Sequence, residues 1–214
     1  MNIVILGAPA SGKGTQAKLL VEKLGLYHFQ TGELSRELAK KDERIKEIVD
    51  AGKLIPEQEM TMYVIDYLSR HHKQMKDILF EGFPRFISQY EALEEFLKNK
   101  GDDIDAVISL DVSQRIAVER ISARRICKEC GEVYNLITNP PKSDRCKCGG
   151  ELIQRKDDKP ESVKTRFEYY MENTKKLIDY LDGKGSLIRI DGEGSIEEIH
   201  RDIIQKLKER GVID

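Results

Sequence analysis

Gly7, Gly12 and Lys13 stand at the spacing G-x-x-x-x-G-K, and a lysine closing a glycine-rich run is a device for holding phosphate. Glycines let successive backbone N–H groups face one concavity, a following helix adds the positive end of its dipole, and the lysine supplies a point charge for the outer phosphates. Ala10, Ser11, Gly14 and Thr15 complete the run. The generic pattern has Ser or Thr directly after the lysine; here that place is Gly14 and the hydroxyl arrives one residue later, which argues against a direct bond from Thr15 to a metal. A second set of reactive side chains is Cys127-x-x-Cys130 followed, after fifteen residues, by Cys146-x-Cys148. Two such turns can bring four thiolates to one tetrahedral zinc with no position left open, a structural site; reduced thiols or a disulfide are the alternatives.

These residues need elements to carry them. Asn2 to Leu6 is a short β-branched apolar run that suits a strand buried on both faces, and Ala17, Leu20, Val21 and Leu24 give the helical period after the loop. Further strands are expected at Tyr27–Gln30, Ile78–Phe80, Ala106–Leu110 and Ser186–Ile190. Helices are expected with Thr31 or Gly32 as a cap, at Glu43–Asp50, from Glu57 to about His72, after a capping box at Ser88–Glu91, after Ser113, unbroken from Pro160 to Gly183, and after Ser195. Strands and helices alternating this regularly predict an α/β fold: a central parallel sheet in three layers. Two stretches depart from the pattern. Residues 30–59 read as a small helical insertion with thin apolar content, and residues 122–158, with the cysteines, Asn139-Pro140-Pro141 and Gly149-Gly150, read as inserted hairpins. The core is then 1–29, 60–121 and 159–214.

The chain has 214 residues, enough for one substantial core, and 36 basic against 38 acidic residues give a net charge of −2. That balance speaks against a nucleic-acid or anionic-membrane partner, so any anion site is local. No apolar run approaches the ~20 residues of a membrane span, and a soluble cytoplasmic chain is expected. His28, His71, His72 and His200 show no ligand spacing and read as surface or partly packed; Arg44, Arg70, Arg115 and Arg189 read as surface charges.

GAPASGKGTQ, TGELSR, GFPR with a glutamine four places on, the Arg124-Arg125 pair, CGEVYN, NPP, CGGEL and QRKDD occur in one order along nearly the whole length. In that series the chain resembles the adenylate kinases, specifically the long-lid type that carries zinc. The resemblance implies a phosphate-loop fold with a helical nucleoside-monophosphate-binding insertion and a zinc-ribbon-like lid. It also implies reversible, Mg²⁺-dependent transfer of the terminal phosphoryl group of ATP to AMP, giving two ADP, in a monomer. Physical chemistry agrees. A phosphate acceptor, with its second pKa near ~6, is already an oxyanion and needs no general base. It needs relief from repulsion of about 4 kcal/mol per charge pair at 4 Å and an effective dielectric of ~20, and arginine forks suit that task.

By this resemblance Lys13, Arg85, Arg120, Arg124, Arg155 and Arg166 stabilise the transferring group. ATP lies on Gly7, Ala10 to Thr15, Arg120, Arg124 and Gly194. AMP lies on Thr31, Gly32, Arg36, Leu54, Ile55, Gly82, Arg85, Gln89, Arg155 and Arg166. Thr31 and Gln89 favour adenine over a pyrimidine, although each could instead serve a helix start. Glu81, where the family commonly has aspartate, together with Asp157 and Asp158, would face the hydration shell of Mg²⁺, and Cys127, Cys130, Cys146 and Cys148 would hold Zn²⁺. The family's second half-site is commonly C-x-x-C, one residue longer than here. Ala10 departs from a glycine, so its backbone is either ordinary or strained. Three rivals remain: a kinase for UMP or CMP, a nucleotide-gated nucleic-acid module using the cysteine ribbon, and an inactive binding protein.

Overall fold

The computed structural model describes every residue except Lys73, Lys156, Asp157 and Lys159. In chain order the elements are β1 (Asn2–Gly7), α1 (Lys13–Leu24), β2 (Tyr27–Gln30), α2 (Thr31–Ala39), α3 (Glu43–Asp50), α4 (Glu57–His71), β3 (Ile78–Glu81), α5 (Ile87–Lys98) and β4 (Ala106–Asp111). Then come α6 (Gln114–Ser122), β5 (Arg124–Cys127), β6 (Val133–Asn135), β7 (Leu152–Ile153), α7 (Pro160–Tyr169), α8 (Lys175–Gly183), β8 (Leu187–Asp191) and α9 (Ile196–Glu209). Five strands form a parallel sheet in the order β2-β3-β1-β4-β8.

β1 is buried along its whole length, and its side chains alternate between two cores. Val4 and Leu6 join Phe29, Phe80, Val64, Leu93 and Ile178 on one face; Ile3 and Ile5 join Ala17, Leu20, Ile203 and Leu207 on the other. The sheet is thus covered on both sides, as its apolar strands require. From β1 the chain runs to one side through β2 and β3, then crosses to β4 and β8 on the other. The carboxyl end of β1 is therefore the switch point of the sheet, where a crevice opens between diverging connections.

The two insertions occupy that end. α2 and α3 leave from β2, and Leu34, Ile45 and Ile55 are buried in the larger core cluster. Between α6 and α7 lies a separate antiparallel sheet, β6-β5-β7. Its segment buries Ala123, Cys127 and Cys146, and no larger apolar side chain among the described residues.

Three local expectations are corrected. α2 starts at Thr31 with Gln30 as its cap, because the Thr31 hydroxyl donates to the Glu81 carbonyl at 2.9 Å instead of serving the helix end. The box expected at Ser88–Glu91 is absent: α5 starts at Ile87, after Phe86, without a side-chain cap, and the Gln89 amide oxygen accepts from the Arg85 backbone N–H at 2.9 Å. The helix from Pro160 is interrupted by a π-turn at Tyr170–Thr174, which sequence periodicity does not reveal. Such turns recur at functional sites, and Tyr170 and Thr174 line the cavity described next.

Candidate active site

The loop leaving β1 turns at Gly7, where φ is +144° and a Cβ would come within 2.6 Å of the Leu110 carbonyl, so no other residue fits. Ala10 follows at φ +58°, the left-handed region: of the two possibilities raised by its departure from glycine, an ordinary backbone is not the one found. Gly12, also left-handed, starts α1. Lys13 folds back along the loop and its ammonium donates to the carbonyls of Gly7 at 2.8 Å and Ala8 at 2.7 Å. Burial pushes its pKa down to about 7; Glu81 opposes the shift, while Arg85, Arg166 and Arg124 reinforce it.

One cavity of about 780 Å³ runs from this loop to both insertions. Ten basic and four acidic side chains line it, so a chain with a net charge of −2 carries a strongly positive interior site. Of the residues assigned to ATP, Gly7, Ala10, Gly12, Lys13, Gly14, Thr15, Arg120, Arg124 and Gly194 line it; Ser11 is fully buried behind the loop. All ten assigned to AMP line it. Arg85 is pushed down to about 10 by burial and then by the neighbouring Arg166. Arg120 donates to the Gly192 carbonyl at 2.7 Å, tying α6 to the loop before α9.

Asp158, with no side-chain exposure, is gripped by Arg124, whose Nε lies 2.8 Å from Oδ2, and by Arg166 at 3.2 Å. It joins the segment after β7 to β5 and α7, and would have to release an arginine to face a hydrated metal. Asp157 lies outside the described residues.

Beside α2 and α5, Thr31 and Gln89 are buried, and both ends of the Gln89 amide have backbone partners, the second being the Glu57 carbonyl at 3.1 Å. Gly82 takes φ +80°, and a Cβ there would meet the Thr31 hydroxyl at 3.2 Å and the Arg85 guanidinium at 3.4 Å. Glycine thereby lets the two approach.

Glu81 ends β3 facing the loop, its carboxylate near enough that a Cβ on Gly14 would lie 3.2 Å from Oε1. A hard oxygen group beside the phosphate loop suits Mg²⁺ chemistry. His28 is partly packed, and it has partners that its place in the sequence does not announce. Its Nε2 lies 2.9 Å from Glu81 Oε2, and the Gln30 amide nitrogen lies 2.9 Å from its Nδ1. Burial acts to raise the Glu81 pKa, but the His28 hydrogen bond and the charges of His28, Lys13 and Arg155 prevail and hold it below the ordinary carboxylate value. Alternation along β2 puts His28 and Gln30 on one face, but only the β2–β3 pairing brings them to Glu81. Arg189 likewise is more than a surface charge, bridging Asp111 at 2.6 Å and Asp182 at 3.0 Å.

The four cysteine sulfurs lie within 4.8 Å of one another, three of the pairs at 3.4 to 3.5 Å. Bonds of about 2.3 Å to a tetrahedral zinc would set sulfurs about 3.8 Å apart, so the donor set and its spacing fit that ion.

The adenylate kinase family model matches residues 5–186. The chain is 42% identical to an adenylate kinase of Kosmotoga olearia over 214 residues, covering 97% of this chain and 99% of that one. It is 42% identical to one of Bacillus licheniformis, covering 97% and 98%, and 43% identical to one of Archaeoglobus fulgidus, covering 97% and 100%. With motif order, a switch-point cavity of positive charge and similarity over almost its whole length in agreement, the chain belongs to the adenylate kinase family.

Proposed function

We propose that this chain catalyses reversible transfer of the terminal phosphoryl group of ATP to AMP, giving two ADP, by direct in-line attack. Family membership supports a phosphotransferase acting on a nucleoside monophosphate, and does not favour the UMP or CMP alternative. The observation that carries the reading is the single cavity joining the phosphate loop, Arg36 and Arg85 on one side, and Arg120, Arg124, Arg155 and Arg166 on the other.

The acceptor phosphate is an oxyanion before it arrives, so the protein's work is to bring two polyanions into line and to neutralise charge on the transferring oxygens. Lys13 and the loop amides hold the donor phosphates. Arg36 and Arg85 hold the acceptor, with Thr31, Gln89, Leu54 and Ile55 around its base. Arg124 and Arg166 enter as a pair held by Asp158, and Arg120 and Gly194 border the donor base. Mg²⁺ arriving with the donor nucleotide would supply further charge neutralisation; Glu81 would order its hydration water, and His28 would orient Glu81. Cys127, Cys130, Cys146 and Cys148 would hold a structural Zn²⁺. Residues 30–59 and 122–158 act as mobile jaws on the core 1–29, 60–121 and 159–214, closing to exclude water from the transfer.

No helix among the described residues is long and apolar enough to cross a membrane, and we read the protein as a cytoplasmic monomer. A coupled assay of ATP with AMP, with and without Mg²⁺, tests the assignment. Turnover should require both AMP and metal; faster turnover with UMP or CMP than with AMP overturns it.

A further inference from the structure

The two half-sites of the cysteine cluster are not supported alike. Cys127 Sγ accepts from a backbone N–H of its own turn, that of Cys130, three places on, at 3.4 Å. In Cys146-Lys147-Cys148 the residue three places on, Gly149, does not serve the sulfur: its N–H bonds the Cys146 carbonyl at 2.8 Å. Shortening the half-site by one residue has turned that amide away, and Cys146 lacks the backbone donor that Cys127 has.

A side chain stands in the gap. The Tyr134 hydroxyl, on β6, lies 3.5 Å from Cys146 Sγ and accepts from the Lys147 backbone N–H at 3.2 Å. A phenol oxygen that already accepts one hydrogen bond keeps its own proton to give. A cysteine bound to a metal is a thiolate without a proton, so in the loaded site the O–H donates and the sulfur accepts. The Glu129 carboxylate, 3.4 Å from Cys127 Sγ, is no such support, since it would repel a thiolate.

We infer that Tyr134 is a positioning residue of the metal centre, its hydroxyl replacing for Cys146 the backbone donor that the shortened half-site lacks. The inference rests on the reading of the four cysteines as a zinc site. It has a further consequence, because Tyr134 and Lys147 also line the nucleotide cavity. One hydroxyl then joins the wall of the donor site to a metal ligand.

The test compares wild-type protein with Tyr134→Phe after loading with Zn²⁺ or with Co²⁺ as a spectroscopic substitute. Both should take up equal metal. The thiolate-to-cobalt charge-transfer band should move to lower energy in the variant, because an unsupported thiolate gives up its electron more readily. Zinc should pass to a chelating dye about 10-fold faster, in line with the usual effect of losing an outer hydrogen bond to a metal ligand. Glu129→Gln should release zinc no faster than wild type. Growth with fluorotyrosine, a stronger donor of the same shape, should shift the wild-type band to higher energy, a readout that survives if the phenylalanine variant does not fold. Equal bands and equal release rates in a metal-loaded pair would overturn the role of Tyr134 and leave the zinc site standing. Failure of wild-type protein to retain either metal would overturn the zinc reading, and this inference with it.

Discussion

Around the parallel sheet the chain buries Ile3, Val4, Ile5, Leu6, Phe29, Leu79 and Phe80 almost completely, whereas the sheet of β5, β6 and β7 buries Ala123, Cys127 and Cys146. The first region is held by apolar area, worth about 1.5–3 kcal/mol for each large side chain removed from water. The second has too little of it to fold on that ground, and a metal joining four sulfurs can take its place. The division suits phosphoryl transfer. Lys13 and Arg85, to which the proposed function gives the phosphates, stand on the first region; Arg120 and Arg124, to which it gives closure over them, stand at the junction with the second. A segment without a core of its own is able to swing as a unit, because few packed contacts have to break.

Breaking the comparison on the core side should give the largest effect. Lys13→Met removes the charge that faces the donor phosphates, and loss of one preorganised donor of this kind costs about 10²–10³ in kcat. Metal content and the hydrogen-exchange protection of β5–β7 should stay as in wild type. A kcat within threefold of wild type would remove Lys13 from the transfer site.

Stability can be broken in the two regions separately. Phe80→Ala opens a cavity in the core between Phe29 and the helices, at a cost of about 3–5 kcal/mol, which lowers Tm by about 10 °C in a chain of this size. Zinc content should not change. A tight chelator should do the reverse, lowering Tm by less and stripping exchange protection from β5–β7 while β1 and β4 keep theirs. Melting curves unaltered by the chelator would refute the idea that metal replaces a core there.

Much of this division is legible in residue order alone. The apolar runs of β1, β3 and β4 and the cysteine spacings announce a sheet and a metal-held insertion, and glycine spacing with Lys13 announces the phosphate loop. What is hidden depends on pairing between distant segments. His28 looks inert until β2 lies beside β3 and brings it to Glu81. Asp158 looks like one of two acidic residues near a hinge until it is seen buried between Arg124 and Arg166. Ser88 fails as a cap because Gln89, one residue on, bonds Arg85 and fixes the start of α5 from its own first turn. The π-turn at Tyr170–Thr174 has no periodic signal because one extra residue in a helix leaves the flanking patterns intact.

The pH dependence of nucleotide binding sharpens the same contrast with a smaller effect. With Lys13 pushed down to about 7 by burial, its amine is mostly neutral at pH 8 in the free protein, and arriving phosphates restore the charge. Binding of ATP should therefore take up close to one proton at about pH 8 and much less at about pH 6, measured by calorimetry in buffers of different ionisation heat. The same shift makes the unfolded chain hold the extra proton between about pH 7 and the ordinary lysine value. In that window the contribution of Lys13 to the stability of the free protein rises with pH. Lys13→Met should abolish the proton uptake; uptake that persists would assign it to another group.

The smallest effect isolates strain where the two regions meet. Ala8 and Ala10 both pack with Ala117, Ile121, Val163 and Phe167, the cluster at the base of the lid, but of the two only Ala10 has a left-handed backbone. Replacing either by glycine loses a methyl contact of up to about 0.8 kcal/mol and adds about 0.5–1 kcal/mol of unfolded-chain entropy. At position 10 the substitution also relieves about 1–2 kcal/mol of left-handed strain. Ala8→Gly should then lower Tm by about 4 °C, while Ala10→Gly should leave it within about 2 °C of wild type. Equal losses in the two variants would mean that the loop holds Ala10 in that conformation without strain.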